Sequence, residues 1–98
     1  MGIMIQPHII ELEIQNLCKN MGEVRVVTVG DDLKGVALIF FIVNFESVEK
    51  FRATVVGHLS EVCKPDRIIA LDEFPLNRNG KVDLKRLEEM ALQYTVKI

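Results

Sequence analysis

Lys81 is the residue of this chain whose type and setting could do chemistry. It stands in the stretch Pro75-Leu-Asn-Arg-Asn-Gly-Lys-Val-Asp-Leu-Lys-Arg-Leu87. Asn77, Asn79 and Gly80 in front of it are turn formers: asparagine tolerates left-handed backbone and bonds its own main chain, and glycine has no Cβ to clash. Behind it, Asp83 is a good N-cap for a helix carrying Leu84, Leu87 and Ala91 on one face. An ammonium between a tight loop and a helix start is presented outward, where it can neutralise charge building up on a phosphate or carboxylate. A lysine in a polar turn is more often plain solvated surface. The rest of the chain has to decide between the two.

No other constellation competes. A phosphate-binding P-loop around Gly80-Lys81 would require Gly at position 75 and Ser or Thr at 82, where this chain has Pro75 and Val82. His8 and His58 are far apart in sequence, with no carboxylate or nucleophile at a telling spacing, and read as surface residues. Glu11 and Glu13 belong to a solvated helix face, and Asp72 and Glu73 to a polar strand exit. Cys18 and Cys63 form no CxxC and have no histidine at ligand spacing, so no metal site or disulfide framework is expected. Cys18 reads as a small buried hydrophobe.

The chain has 98 residues, 49% apolar and 27% charged, which suits one soluble globular domain with a modest core. A net charge of -2 supplies no basic field for nucleic acid or an anionic membrane surface. The longest apolar run, Val36 to Val43, is far short of the roughly 20 residues that span a bilayer. The first residues lack the basic start and apolar core of a signal peptide, so the expected location is cytoplasmic.

The elements that must position Lys81 follow from periodicity. Pro7 suits a first helical position, and Ile10, Ile14, Leu17 and Met21 then mark one helical face, with Glu11, Glu13, Gln15 and Lys19 on the wet side. Gly22 is available for a left-handed cap. Gly2 to Ile5 has extended character. Val24 to Val29 is a β-branched strand, Gly30-Asp31-Asp32 turns the chain, and Val36 to Val43 reads as a central strand covered on both faces, the two forming an antiparallel hairpin. Val48, Phe51, Val55, Leu59 and Val62 mark a second helix ending before Pro65, with Gly57 a weakness inside it. Arg67 to Leu71 is a third strand, and a last helix runs from about Leu84 to Tyr94. The expected fold is α+β: a small mixed sheet of about three strands, including the antiparallel hairpin, packed against three helices.

In this order the segments resemble the small C-terminal domain of the adenylate-forming enzymes, which include acyl-CoA synthetases, nonribosomal peptide synthetase adenylation domains and firefly luciferase. The resemblance covers nearly the whole chain. Leu71 to Leu87 is similar to that family's terminal motif, acidic-x-Pro followed by Asn/Ser-Gly-Lys-Val/Ile-Asp and a helix. Lys64-Pro65 is similar to the segment before its third strand, and Gly2 to Glu11 to its Gly-x-x-Ile-x-Pro/Leu-x-x-Ile-Glu stretch. Val62 stands where many members have Tyr, and Leu84 where many have Arg. The hinge and the large ATP-binding domain lie outside these residues, so residues 1–98 are expected to be a single C-terminal domain, an excised piece or the product of a split gene.

The resemblance implies that Lys81 bridges a substrate carboxylate and the α-phosphate of ATP, presented by Asn77, Asn79, Gly80 and Asp83. It also implies that the region of Gly2 faces the acceptor thiol after a domain rotation. ATP and Mg²⁺ are implied for the complete enzyme and no cofactor for this domain alone. The implied partner is a large N-terminal adenylation domain, in cis or in trans, with a carrier protein or CoA as acceptor, and the isolated chain is expected to be inactive. The alternative is a docking module that binds a carrier protein or partner enzyme without catalysing. A further possibility is regulation by acylation of Lys81, which would remove its charge.

Overall fold

The computed structural model describes residues 7–31, 35–59 and 65–95. Readings that fall on Gly2 to Ile5, on the turn at Asp32, and on Val62, Cys63 and Lys64 lie outside the described residues. The elements are helix α1 (Pro7–Leu17), strands β1 (Glu23–Asp31) and β2 (Gly35–Val43), helix α2 (Val48–Val55) running into a 3₁₀ turn (Val56–His58), strand β3 (Arg67–Leu71) and helix α3 (Leu84–Thr95). The strand order is β1-β2-β3. β1 and β2 are antiparallel from Glu23 opposite Val43 to Asp31 opposite Gly35, and β2 and β3 are parallel from Ile39 opposite Arg67 to Val43 opposite Leu71. A parallel pair needs a crossover, and α2 supplies it.

The expected mixed sheet of three strands with three helices is therefore present, and its centre is β2. Every residue from Ala37 to Val43 is buried, because successive side chains alternate between two covered faces. On one face, Leu38, Phe40 and Ile42 join Val24 and Val26 beneath α1 and α2 (Ile10, Ile14, Phe51, Val55). On the other, Ile39, Phe41 and Val43 join Val27, Val29 and Phe74 beneath Leu87 and Ala91 of α3. The site loop thus hangs from the α3 side of the sheet.

Several sequence expectations are corrected. Leu17 is 37% exposed, and Cys18, just past the end of α1, takes the next buried place after Ile14, because the turn is 3.6 residues and the underlying sheet selects which neighbour points inward. Leu84, at the first position of α3, is 51% exposed, so Leu87 and Ala91 alone of that trio face the core. The left-handed residue after α1 is Asn20 (φ 72°). Gly22 serves close packing instead: a Cβ there would come within 2.6 Å of Phe45 Cδ2 and 2.7 Å of the Val43 carbonyl oxygen. Gly30 and Asp31 are paired residues of β1, opposite Val36 and Gly35, where the sequence suggests a turn. α2 stops at Val55, where the backbone tightens into the 3₁₀ turn that contains Gly57, a poor helix former.

Glu11 and Gln15 also leave the wet side to which periodicity assigns them. β1 is an edge strand, whose outward backbone groups need partners. Gln15 Nε2 donates to the Val24 carbonyl at 3.0 Å, and Glu11 Oε1 accepts the Val26 N–H at 2.8 Å. Helix α1 is clamped along that edge.

Candidate active-site loop

The chain between Phe74 and Leu87 is held at both ends by the core, since Phe74 is 7% and Leu87 0% exposed. Between these anchors it closes on itself in successive rungs. The Asp83 N–H donates to the Pro75 carbonyl at 2.8 Å, Leu76 and Val82 form an isolated antiparallel bridge, and the Asn77 N–H donates to the Lys81 carbonyl at 2.8 Å. At the tip, Asn77 Oδ1 accepts the N–H of Asn79 at 2.8 Å and of Lys81 at 3.1 Å, and the Asn77 carbonyl accepts the Gly80 N–H at 3.0 Å. Gly80 has φ 80°, a conformation that costs a residue with a side chain and costs glycine little.

Asp83 then starts α3. Its Oδ1 accepts the Arg86 N–H at 3.0 Å and its carbonyl accepts the Leu87 N–H at 3.1 Å, the bonding of an N-cap residue. Asn77 bonds across the tip through its side chain and backbone, Gly80 takes the left-handed position and Asp83 caps α3, while Asn79 contributes through its backbone N–H. Lys81 is exposed, and among the described residues its ammonium has no partner, although its backbone is bonded on both sides. A fixed backbone with an uncommitted cation is what a charge-neutralising lysine requires.

Lys81 does not stand alone. With Gly80, Leu84, Arg25 of β1, and His8, Glu11 and Leu12 of α1, it lines an open groove of about 600 Å³. Arg25 Nη1 lies 3.2 Å from Glu11 Oε2, and its guanidinium carbon is 5.8 Å from the centre of the Phe74 ring. α1, β1 and the root of the loop therefore meet at Arg25. Sequence reasoning passed over this residue. Its signal was a cation at a position sharing a face with Val27 and Val29, where the strand pattern calls for an apolar side chain. Glu11 carried a signal as well, as the closing glutamate of the Gly2 to Glu11 stretch. Asp72, Glu73, His8 and His58 are exposed, and among the described residues no three His, Cys, Asp or Glu side chains gather to hold a metal ion. Gly2 lies outside the described residues.

Residues 13–81 match the AMP-binding enzyme C-terminal domain, a match that ends on Lys81 itself. The chain belongs to that family. The nonribosomal peptide synthetase sirP of Leptosphaeria maculans is 30% identical over 92 residues, covering 94% of this chain and 4% of the relative. The nonribosomal peptide synthetase gliP of Aspergillus fumigatus is 42% identical over 40 residues, covering 41% of this chain and 2% of the relative. Among solved structures, ATP-bound MatB from Rhodopseudomonas palustris superposes with a TM-score of 0.77 at 23% identity, covering 96% of this chain and 19% of that one. An AMP-forming acyl-CoA synthetase/AMP-acid ligase II-like protein from Dyadobacter fermentans superposes with a TM-score of 0.76 at 21% identity, covering 93% of this chain and 27% of that one. The chain thus spans a small fraction of the length of the relatives it matches, and it shares the fold of the solved structures. Among the described residues no helix is long and apolar enough to cross a membrane.

Proposed function

We propose that this chain is the mobile C-terminal domain of an ATP-dependent carboxylate-adenylating ligase acting in the cytoplasm. It carries Lys81 to an active site built on a large N-terminal domain, in cis or in trans. In the reaction a carboxylate oxygen attacks the α-phosphorus of ATP, the bond to the β-phosphate bridging oxygen breaks, and acyl-adenylate and pyrophosphate result. Both reactants are anions. A cation held between them offsets their repulsion and stabilises charge as it develops, with its positioning entropy already spent in the folded loop. ATP and Mg²⁺ would be held by the large domain. A second step would pass the acyl group to a thiol of CoA or a carrier protein.

The observation that carries this reading is the uncommitted ammonium of Lys81 on a tip locked between two core anchors. Its test is to mix the chain with a large adenylation domain lacking its own C-terminal domain and follow carboxylate-dependent ATP–pyrophosphate exchange. The mixture should exceed the large domain alone, and Lys81→Ala should lose about two to three decades in rate. Equal rates with and without the chain, or full activity in the variant, would sink the proposal.

One observation favours a second reading, a docking module without catalysis: Leu12 and Leu84, 52% and 51% exposed, flank the groove as an apolar rim. Binding of a carrier protein that survives Lys81→Ala, with no effect on exchange, would select it.

A further inference from the structure

Arg25 stands where the pattern of β1 calls for an apolar residue, on the face that buries Val27 and Val29, yet its side chain is 28% exposed. Two contacts fix it. Glu11 reaches the β1 edge through Oε1, which accepts the Val26 N–H, and its Oε2 meets Arg25 Nη1. The Phe74 ring lies beneath the guanidinium at 5.8 Å, within cation–π range. A guanidinium has five N–H donors, and the described hydrogen bonds engage Nη1 alone. The remaining donors belong to a side chain that lines the same groove as Lys81.

We infer that Arg25 and Lys81 form a two-cation site for an organic diphosphate, with Arg25 as its forked donor and Lys81 as its point charge. Glu11 cancels one of the two charges, so the groove stays net positive within a chain whose net charge is -2. A fork and a point charge on separate elements suit an anion with two charged centres better than a single carboxylate or phosphate. The groove, at about 600 Å³, also leaves room beyond the phosphates, and Leu12 and Leu84 offer apolar surface to the body of the ligand. The inference rests on the proposed function only in taking Lys81 as an anion contact. Because binding is read on this chain alone, it stands or falls apart from any adenylation assay.

The test is an amide chemical-shift titration of the 98-residue chain with ADP and, separately, with inorganic pyrophosphate, at fixed ionic strength. Saturable shifts are expected at His8, Arg25, Gly80 and Lys81. Arg25→Gln and Lys81→Gln should each weaken binding about tenfold or more, the worth of a charge-assisted contact. Arg25→Lys, which keeps the charge and loses the fork, should fall between. Lys85→Gln removes the same charge from an exposed position of α3 outside the groove and should bind as the parent does. Tighter binding of ADP assigns recognition to the nucleotide as a whole, and equal binding assigns it to the diphosphate. Should Arg25→Gln unfold, Lys81→Gln against Lys85→Gln decides: equal weakening overturns the site. It is likewise overturned if a folded Arg25→Gln binds as the parent, or if the shifts spread evenly over exposed cations such as Arg52 and Arg67.

Discussion

Asn77 and Lys81 are bonded to each other through both sides of the loop, the Asn77 N–H to the Lys81 carbonyl at 2.8 Å and the Lys81 N–H to Asn77 Oδ1 at 3.1 Å. Neither bond touches the ammonium. The pairing fixes where the lysine leaves the backbone and keeps the charge available. Ordering a residue costs about 1–2 kcal/mol of backbone entropy, so a loop ordered in advance brings Lys81 to an anion without that cost falling on the binding step.

Asn77→Ala should loosen this tip without unfolding the domain. It removes the acceptor of two backbone N–H groups, each worth about 0.5–1.5 kcal/mol, and water can solvate what is freed because the loop is exposed. Amide exchange at Asn79 and Lys81 should quicken by about tenfold while the thermal midpoint moves little, since Phe74 and Leu87 remain buried. Asn77→Asp keeps the acceptor and should restore slow exchange. Unchanged exchange in the alanine variant would show that the backbone rungs alone hold the loop.

Gly80 isolates a backbone effect. No atom beyond its two chain neighbours lies within 4 Å of where a Cβ would stand, so the cost of a side chain comes from the positive φ rather than from packing. Gly80→Ala should destabilise the chain by about 1–2 kcal/mol, and Gly80→Asn by less, because asparagine tolerates this region. Urea midpoints should therefore run Gly, then Asn, then Ala. A midpoint for alanine at or above the parent's would mean that the turn relaxes into another conformation.

Much of this was legible in the sequence because it is local. Asn77, Gly80 and Asp83 act through bonds to residues at most eight positions away, and the run from Ala37 to Val43 loses its alternation because both of its faces are covered. What was not legible depends on neighbours distant in sequence. Helical period puts Glu11 and Gln15 on a polar face, and only the open edge of β1 turns them inward. Period also allows either Leu17 or Cys18 to follow Ile14, and the sheet chooses Cys18. Gly22 looks like a helix cap until Phe45 is found against it. Arg25 acquires a meaning only when Glu11 and Phe74 converge on it from 14 residues before and from beyond β3.

The Glu11 clamp should be one of the more costly surface-side contacts to break. Glu11→Ala strands the Val26 N–H and leaves Arg25 without its counter-ion, for an expected loss of about 2–3 kcal/mol. Glu11→Gln keeps an acceptor for Val26 and should lose less. Glu13→Ala, on the exposed side of the same helix, should stay within about 0.5 kcal/mol. Denaturant unfolding of the three variants tests the order, and equal losses for Glu11→Ala and Glu13→Ala would mean that α1 is held by its apolar face alone.

Cys18 gives a prediction in pH. Burial beneath α1 disfavours the thiolate and raises the thiol above its ordinary value of 9.0. In the unfolded chain the thiol ionises at its ordinary value, while the folded chain still holds the proton. Stability contributed by the buried thiol is therefore complete below about pH 9 and is lost as pH rises from the unfolded value through the folded one. In a Cys63→Ser background, Cys18 should react slowly with an aromatic disulfide reagent at pH 8 and rapidly in denaturant. Cys18→Ala should remove this alkaline component of the stability profile while adding a small cavity cost at every pH. Fast labelling of the native chain would show that α1 opens locally from the sheet, and would move the limit on reactivity from ionisation to access.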